Sequence, residues 1–187
     1  MSEHKFPTEV IDLPSGGKVY GKESPLAEGK LEIKYMTTKE EDILMSENLI
    51  KKGVVIDKLL DSLIVTKGVK QEHLVLGDKN AVLVACRILA YGPEYTCEVT
   101  NPKNPDQQVE HTFDLSQCPF KTISEDIDYS DNSFDFITPI GKTKIKFKLL
   151  TGVEEKLIEK DLEQTKKYGY NSEVSTRLRY TITEVDG

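Results

Sequence analysis

The sequence has few of the residues that form metal sites and disulfides. It contains three cysteines and three histidines, and an odd cysteine count excludes a fully paired disulfide framework. Cys97 and Cys118 with His111 form only an incomplete metal set, because structural zinc takes four protein ligands. We therefore expect no metal ion, and a protein folded in a reducing cytoplasm.

Long apolar runs and an excess of basic charge are missing as well. No run approaches the roughly 20 apolar residues that span a bilayer, and the N-terminal segment lacks the apolar core of a signal peptide. Lysine and arginine number 25 against 32 acidic residues, which gives a net charge of −7. A general nucleic-acid binder needs a basic stripe to displace counterions. The sequence predicts partners that are neither membrane nor nucleic acid.

Catalytic motifs also fail on named residues. Gly141-Lys142-Thr143 resembles the end of a phosphate-binding loop, but that motif requires a glycine where Phe136 stands. The residues after Thr143 alternate like a strand instead of opening a helix. The histidines fall on separate segments, and no other catalytic signature occurs. We predict that the chain is not an enzyme and binds no cofactor.

Residues 36–53 carry every local signal of one helix. Two overlapping capping boxes begin at Thr37 and Thr38, each with a glutamate three residues later. Two lysines fill the last turn, and Gly53 supplies the left-handed residue that ends a helix. The sequence predicts a continuous helix that is capped at both ends.

An acidic cluster occupies the first turn of this predicted helix. It consists of Glu40, Glu41 and Asp42, and the positive end of the helix dipole favours all three. Capping explains these residues, and their dense charge also makes them a candidate contact surface for a partner. Both interpretations stay open at this point.

The segment before this helix is rich in proline and glycine, which forbid a long helix. We expect residues 1–30 to form an extended arm, either a leader that lies on the surface or a segment that packs on a partner subunit. Residues 31–36 alternate apolar and polar side chains and predict a strand.

Two further helices follow Gly53. Residues 56–64 carry a clean apolar stripe, so this helix forms an αα-hairpin with the one before it. The next helix is predicted to start with Asp78 as its cap and to stop at Gly92 and Pro93. It is apolar nearly all round and should therefore be buried. Arg87 is its only charge after the first turn. We expect Arg87 to pair with a carboxylate, or else to be an exposed contact residue. The possible partners are Asp42, Asp57, Asp61 and Asp78.

Strand patterns dominate the rest of the chain. Residues 93–114 predict a projecting β-hairpin with a turn over 101–108. This turn contains Lys103 and Asn104, a second candidate contact site. Residues 121–132 are acidic and predict a linker. Within 133–187 we expect a second hairpin, a helix opened by a capping box at Thr151, and an ambiguous tail over 174–185 that we interpret as helix.

The predicted class is α+β. A helical unit over residues 31–120 carries the β-hairpin, and a smaller hairpin-plus-helix unit over 133–187 follows it.

Several blocks resemble the baseplate protein family of T4-type tailed phages, the hub and hub-assembly proteins. The blocks are LPSGGKVY, MTTKEEDILMSENLIKKGVVIDKLLDSLI, LVLGDKNAVLVACRILAYGPEY and PIGKTKIKFKLLTGVEEK, in which Gly152 closes the Leu-Thr-Gly step. Many relatives carry a Cys-Pro-x-Cys-Gly knuckle in the hairpin, but here the tip has no cysteine, so a zinc knuckle does not carry over. Relatives also run on beyond the final Val-Asp-Gly, so we expect their helical extension to be missing.

The resemblance implies a part in building the contractile tail. The chain would be a structural subunit or assembly factor of the baseplate hub that acts only through protein contacts. It would be present in the host cytoplasm during assembly and in the tail baseplate if it is retained in the virion. The alternative is a chaperone that binds the tape-measure protein and leaves before maturation. Partners would be other hub proteins, within an oligomeric assembly.

Overall fold

The computed structural model describes residues 6–119, 121, 123–167 and 172–186. Six α-helices and seven strands lie in these residues. In chain order they are β1 (Thr8–Asp12), β2 (Lys30–Lys34), α1 (Thr38–Leu44), α2 (Glu47–Lys51), α3 (Val55–Leu63), α4 (Leu76–Tyr91), β3 (Glu94–Asn101), β4 (Asn104–Asp114), β5 (Phe134–Ile137), β6 (Lys144–Phe147), α5 (Gly152–Lys166), α6 (Glu173–Thr181) and β7 (Ile182–Val185).

The strands form three small antiparallel sheets. Strand β1 pairs with β2, β3 pairs with β4, and β6 lies between β5 and β7. Helices and antiparallel sheets therefore occupy separate stretches of the chain, and the predicted α+β class is confirmed.

The main core lies between β2, the helices α3 and α4, and the N-terminal segment. Its buried side chains are Leu13, Leu26, Leu31, Ile33, Leu59, Leu60, Leu63, Leu74, Val82 and Cys86. The predicted arm, which would lie on the surface or pack on a partner, is wrong for the described residues 6–30, because Leu13 and Leu26 are core residues and β1 pairs with β2. Residues 1–5 of that arm lie outside the described part of the chain.

A close backbone approach inside the N-terminal segment requires glycine. Gly17 has a φ of +77°, and a Cβ atom built on it would lie 2.3 Å from the carbonyl oxygen of Ala27. The loop after Leu13 therefore folds tightly against the loop that leads into β2. This approach directs both Leu13 and Leu26 into the core.

The continuous helix predicted over 36–53 is wrong, because the chain turns at Met45 and Ser46. Helix α1 ends at Leu44, and the carbonyl of Ser46 accepts the first hydrogen bonds of α2, from the amides of Leu49 and Ile50. Serine favours such an N-terminal cap over a helix interior. The turn leaves α1 free to pack against α3. Gly53 ends α2 with a φ of +68°, as predicted.

Helix α4 differs from its prediction in two respects. It starts at Leu76 with Val75 at the cap position, so Asp78 lies inside the first turn. It is also not buried all round, since Val84 is exposed while Val82 and Cys86 are buried. The exposed face of α4 is apolar like its buried face, so the sequence predicts that both are buried. The core covers only one of them. Gly92, with a φ of +83°, stops the helix as predicted.

The C-terminal part joins the first core through the start of α5. The amide of Leu76 donates to the carbonyl of Leu150 at 3.3 Å, and that of Gly152 donates to Leu74 at 3.3 Å. A Cβ atom on Gly152 would lie 2.8 Å from Cα of Glu72, so glycine is needed at this crossing. The capping box at Thr151 is confirmed.

The ambiguous tail is both helix and strand. Residues Glu173–Thr181 form α6, and Ile182–Val185 form β7, which pairs with β6. The interpretation of the tail as helix is therefore confirmed for residues 174–181 and wrong for residues 182–185.

Candidate protein–protein interface

Glu40 is a buried capping residue. Its side chain has no exposed surface, and Lys34 Nζ donates to Oε1 at 2.8 Å. Ser62 Oγ donates to the same oxygen at 2.6 Å, and the Thr37 amide donates to Oε2 at 3.0 Å. Burial acts to raise the pKa of Glu40, but these hydrogen bonds outweigh it and lower the pKa to about 2. Glu40 therefore cannot belong to an exposed acidic surface, which corrects the predicted trio.

The other two acids of the trio remain accessible. Glu41 and Asp42 are exposed on α1, and Asp42 lies at the rim of an open cavity of about 440 Å³ that Ile43 and Ser46 also line. Met45, with 80% of its surface exposed, follows on the same turn. Sequence reasoning missed Met45 because it placed this residue in the interior of a continuous helix.

The arrangement around Glu40 occurs a second time, at the start of α5. There Thr151 donates its amide proton to Glu154 Oε2 at 2.9 Å, and Lys148 Nζ donates to Oε1 at 2.7 Å. Both sites have the spacing Lys-x-x-Thr-x-x-Glu, with the threonine at the helix cap. Lys34 is the last residue of β2, and Lys148 directly follows β6. Burial again acts to raise the pKa of Glu154, and the hydrogen bonds again prevail and lower it to about 2.

Asp78 joins two of the blocks that resemble the phage family. Its carboxylate accepts hydrogen bonds from the amide and hydroxyl of Ser15, at 2.9 and 2.6 Å, and from the hydroxyl of Tyr20 at 2.7 Å. The Tyr20 oxygen in turn accepts from the amide of Val75 at 3.1 Å. Burial, together with the bond to Asp78, raises the pKa of Tyr20 above its usual range. Asp78 therefore fixes the N-terminal loop to the first turn of α4.

Arg87 binds backbone carbonyls instead of a carboxylate. Its Nη1 donates to the oxygen of Gly92 at 3.0 Å, and its Nη2 donates to that of Glu94 at 3.2 Å. The guanidinium also lies over the rings of Tyr91 and Tyr95, 5.0 and 5.9 Å from their centroids. The predicted ion pair is wrong, because the guanidinium donates to the carbonyls of Gly92 and Glu94 instead. Arg87 joins α4 to the base of the hairpin.

The β3–β4 hairpin has one apolar face and one acidic face. Tyr95 pairs with Phe113 and Cys97 with His111 on one face, and both aromatic rings of the first pair are more than 40% exposed. His111 is thus a strand residue, as predicted, and it contacts Phe113 edge-on at 4.5 Å between ring centroids. An exposed aromatic and aliphatic face is typical of a protein-binding surface.

The opposite face of the hairpin collects carboxylates. Glu94 pairs with Asp114 and Glu98 with Glu110, and between them Thr96 and Thr112 share a hydrogen bond of 2.7 Å. Like charges directly across an antiparallel pair destabilise it. The carboxylates of the two strands therefore repel each other, and a basic partner would reduce this repulsion.

The hairpin tip is short and fully exposed. The turn is limited to Pro102 and Lys103, since Asn101 already pairs with Asn104. The Lys103 amide donates to the Asn101 side chain at 2.9 Å, which fixes the turn. The predicted turn over 101–108 was therefore too long. Lys103 and Asn104 are exposed.

The cysteines and His111, which were considered as metal ligands, lie apart or form an incomplete set. Cys97 faces His111 across the hairpin, whereas Cys118 lies beyond it. Among the described residues, no group of three or more His, Cys, Asp and Glu is arranged to hold a metal ion. Over the same residues, no helix is sufficiently long and apolar to cross a membrane.

Replacing Arg87 by lysine is expected to loosen the hairpin base. A lysine cannot reach two carbonyls with a planar fork or stack equally well on two rings, so we expect a loss of about 1–2 kcal/mol in the free energy of unfolding. Faster amide hydrogen exchange in β3 and β4 should accompany this loss. Lys103→Arg at the exposed tip is the control. Unchanged exchange in R87K would contradict this role of Arg87.

These features describe an α+β protein with buried polar joints and an exposed, two-faced hairpin. A sequence model for the family described as T4 bacteriophage base plate protein matches residues 5–172, most of the chain. The chain belongs to this family, and it is a phage baseplate component. Neither the curated proteins nor the solved structures contain a match.

Proposed function

We propose that this protein is a non-enzymatic component of the baseplate hub, which acts through contacts with other hub proteins during tail assembly. Membership of the baseplate family supports the tail location. The observation that carries the proposal is the hairpin, whose aromatic side chains stay exposed in the isolated chain. Such a surface is expected to be covered in an assembly.

Mass spectrometry of purified tails and of assembly intermediates tests this function. A hub subunit should be present in both at a fixed copy number. A chaperone of the tape-measure protein, the alternative role, should be present in intermediates and missing from finished tails. Absence from both would contradict either role, and the comparison also identifies the partners that co-purify.

We further propose that Glu41 and Asp42, together with Lys103 and Asn104 at the hairpin tip, contact these partners. Their support is exposure at positions that serve no packing role in the chain. The double variant Glu41→Lys/Asp42→Lys is expected to lose incorporation into tails, because like charges placed across an interface oppose association. Thermal unfolding should be nearly unchanged, since both side chains are exposed.

A matched control for this variant is Glu47→Lys, which reverses one exposed charge on α2. It removes only an exposed ion pair with Lys51, which contributes little stability. Normal incorporation of the double variant would show that the acids of α1 are not a contact surface. Loss of folding would instead show that they act only as caps.

A further inference from the structure

Within the described part of the chain, β3 pairs with β4 alone, so its other backbone edge is free. The amide of Leu115 donates to the carbonyl of Pro93 at 2.9 Å, so these two residues form a hydrogen-bonded pair at the base of the hairpin. Such pairs alternate with non-hydrogen-bonded pairs along an antiparallel ladder. The N–H and C=O groups of Thr96 and Glu98 therefore point away from β4. The bond from Arg87 to the oxygen of Glu94 agrees with this direction.

The edge of β3 has only one of the features that block strand addition, the charged side chains Glu94 and Glu98. Proteins protect free edges with charged side chains, proline or bulges, and acidic side chains do not repel a basic strand. Strand β4 contains Pro105 and three residues, 105–107, that have no partner in β3. Strand β3 contains neither proline nor lysine, and it is regular from Glu94 to Thr100. An added strand thus finds an open edge on β3.

The two faces of the hairpin define what this strand should contain. Side chains of an added strand alternate between the faces. On one face they would lie beside Tyr95, Cys97 and Val99, and on the other beside Glu94 and Glu98. The paired stretches 94–101 and 108–114 contain neither lysine nor arginine. Apolar residues suit the first face and basic residues suit the second.

The C-terminal sheet of the same chain contains such a contact between basic and acidic strands, there with the basic strand in the middle. Strand β6 alternates lysine with Ile145 and Phe147, and its Lys146 lies between Asp135 of β5 and Glu184 of β7. Lys146 forms an ion pair with Glu184. The β3–β4 hairpin has comparable acidic and apolar faces but lacks the basic strand.

We propose that the free edge of β3 binds an extended segment of a partner protein in which basic and apolar residues alternate. The segment adds a third strand beside β3, with backbone hydrogen bonds to Thr96 and Glu98. Its basic side chains neutralise Glu94, Glu98 and Glu110, and its apolar side chains extend the surface of Tyr95. This partner class rests on the proposed function, because a hub protein would supply the segment.

A synthetic peptide of about ten residues, the length of a long strand, provides the probe. It alternates lysine and valine, and a control peptide of the same composition places all lysines before all valines. Fluorescence anisotropy measures binding to the full chain at low salt. We expect binding of the alternating peptide, with slower hydrogen exchange at the amides of Thr96 and Glu98. Glu98→Gln/Glu110→Gln should weaken it about fivefold.

Two matched proline variants locate the edge. Thr96 and Thr112 face each other, and both have outward amides, so Thr96→Pro blocks β3 and Thr112→Pro blocks β4 without removing a hydrogen bond of the ladder. Thr96→Pro should abolish binding and Thr112→Pro should preserve it. The reverse result would overturn the assignment to β3. Equal binding of the control peptide, or no binding at about 1 mM, would overturn the proposal.

If Thr96→Pro unfolds the hairpin, amide hydrogen exchange in the unmodified chain with bound peptide still tests the proposal. Protection at Thr96 and Glu98 then supports the β3 edge, and protection at Glu110 and Thr112 contradicts it. If the peptide does not bind, the strand-addition proposal fails, but the copy number of the protein in tails does not change. If the peptide binds and the protein is missing from both tails and intermediates, only the proposed function is rejected.

Discussion

Replacing Glu40 by alanine is expected to lower the free energy of unfolding by about 3–5 kcal/mol, because removal of one partner leaves a largely buried charge uncompensated. Lys34, with only 12% of its side chain exposed, would lose its counter-ion. Ser62 and the Thr37 amide would lose their acceptor at the same time. Urea unfolding at neutral pH measures this loss.

The effect of Glu40 should also depend on pH. Its pKa falls from 4.5 to about 2 on folding, and a group with a lowered pKa stabilises the fold above its unfolded pKa. The difference between the wild type and Glu40→Ala should thus be full above about pH 5 and shrink as the pH falls towards 2. A difference that stays constant over this window would contradict the ionised, buried state of Glu40.

The neighbouring residue Glu41 is the matched control. It has the same side chain on the same helical turn but is exposed. We expect Glu41→Ala to change the free energy of unfolding by less than about 0.5 kcal/mol. Comparable losses in the two variants would show that helix-dipole charge, and not burial, accounts for the effect.

Asp78→Ala is expected to cost about 3 kcal/mol, since hydrogen bonds to a charged acceptor are among the stronger ones and buried donors would be left unpaired. Ser15 would lose the acceptor of both its amide and its hydroxyl, and Tyr20 would lose that of its hydroxyl. The N-terminal loop should detach from α4 before global unfolding. Hydrogen exchange at the Ser15 amide reports this local opening.

Two other variants calibrate the role of Asp78. Asn80→Ala changes an exposed residue in the same part of α4 and should be nearly neutral. Asp78→Asn keeps one acceptor oxygen but loses the charge. Its loss in the free energy of unfolding should therefore lie between those of Asn80→Ala and Asp78→Ala. Rapid exchange at Ser15 in the wild type would contradict the proposed fixation of the loop.

Much of the local structure was predictable because its signals lie within a few residues. The capping box at Thr151, the stops at Gly53 and Gly92, and the pairing of β3 with β4 were read from short patterns and are confirmed. The break at Met45 was not, because the local signals on both sides favour helix. The break lets α1 pack on α3, a contact between distant residues that no local pattern reveals.

The polar interactions that define the sites were not predictable. Arg87 was expected to pair with a carboxylate, yet it binds two backbone carbonyls, that of Gly92 at the helix end and that of Glu94 in β3. Glu40 was grouped with Glu41 and Asp42 because the three are adjacent in sequence. Folding separates them, since one side of α1 faces the core and the other faces water.

The sequence by itself determined the class, the capping boxes at Thr37 and Thr151, the helix stops at Gly53 and Gly92, and the alternation that gives the hairpin its two faces. These properties depend on neighbours in the chain and on side-chain period. Only the tertiary structure decided which polar groups are buried, because their partners are distant: Ser62 lies 22 residues from Glu40, and Ser15 lies 63 residues from Asp78. A local pattern cannot distinguish a buried carboxylate from an exposed one when the donors come from other elements.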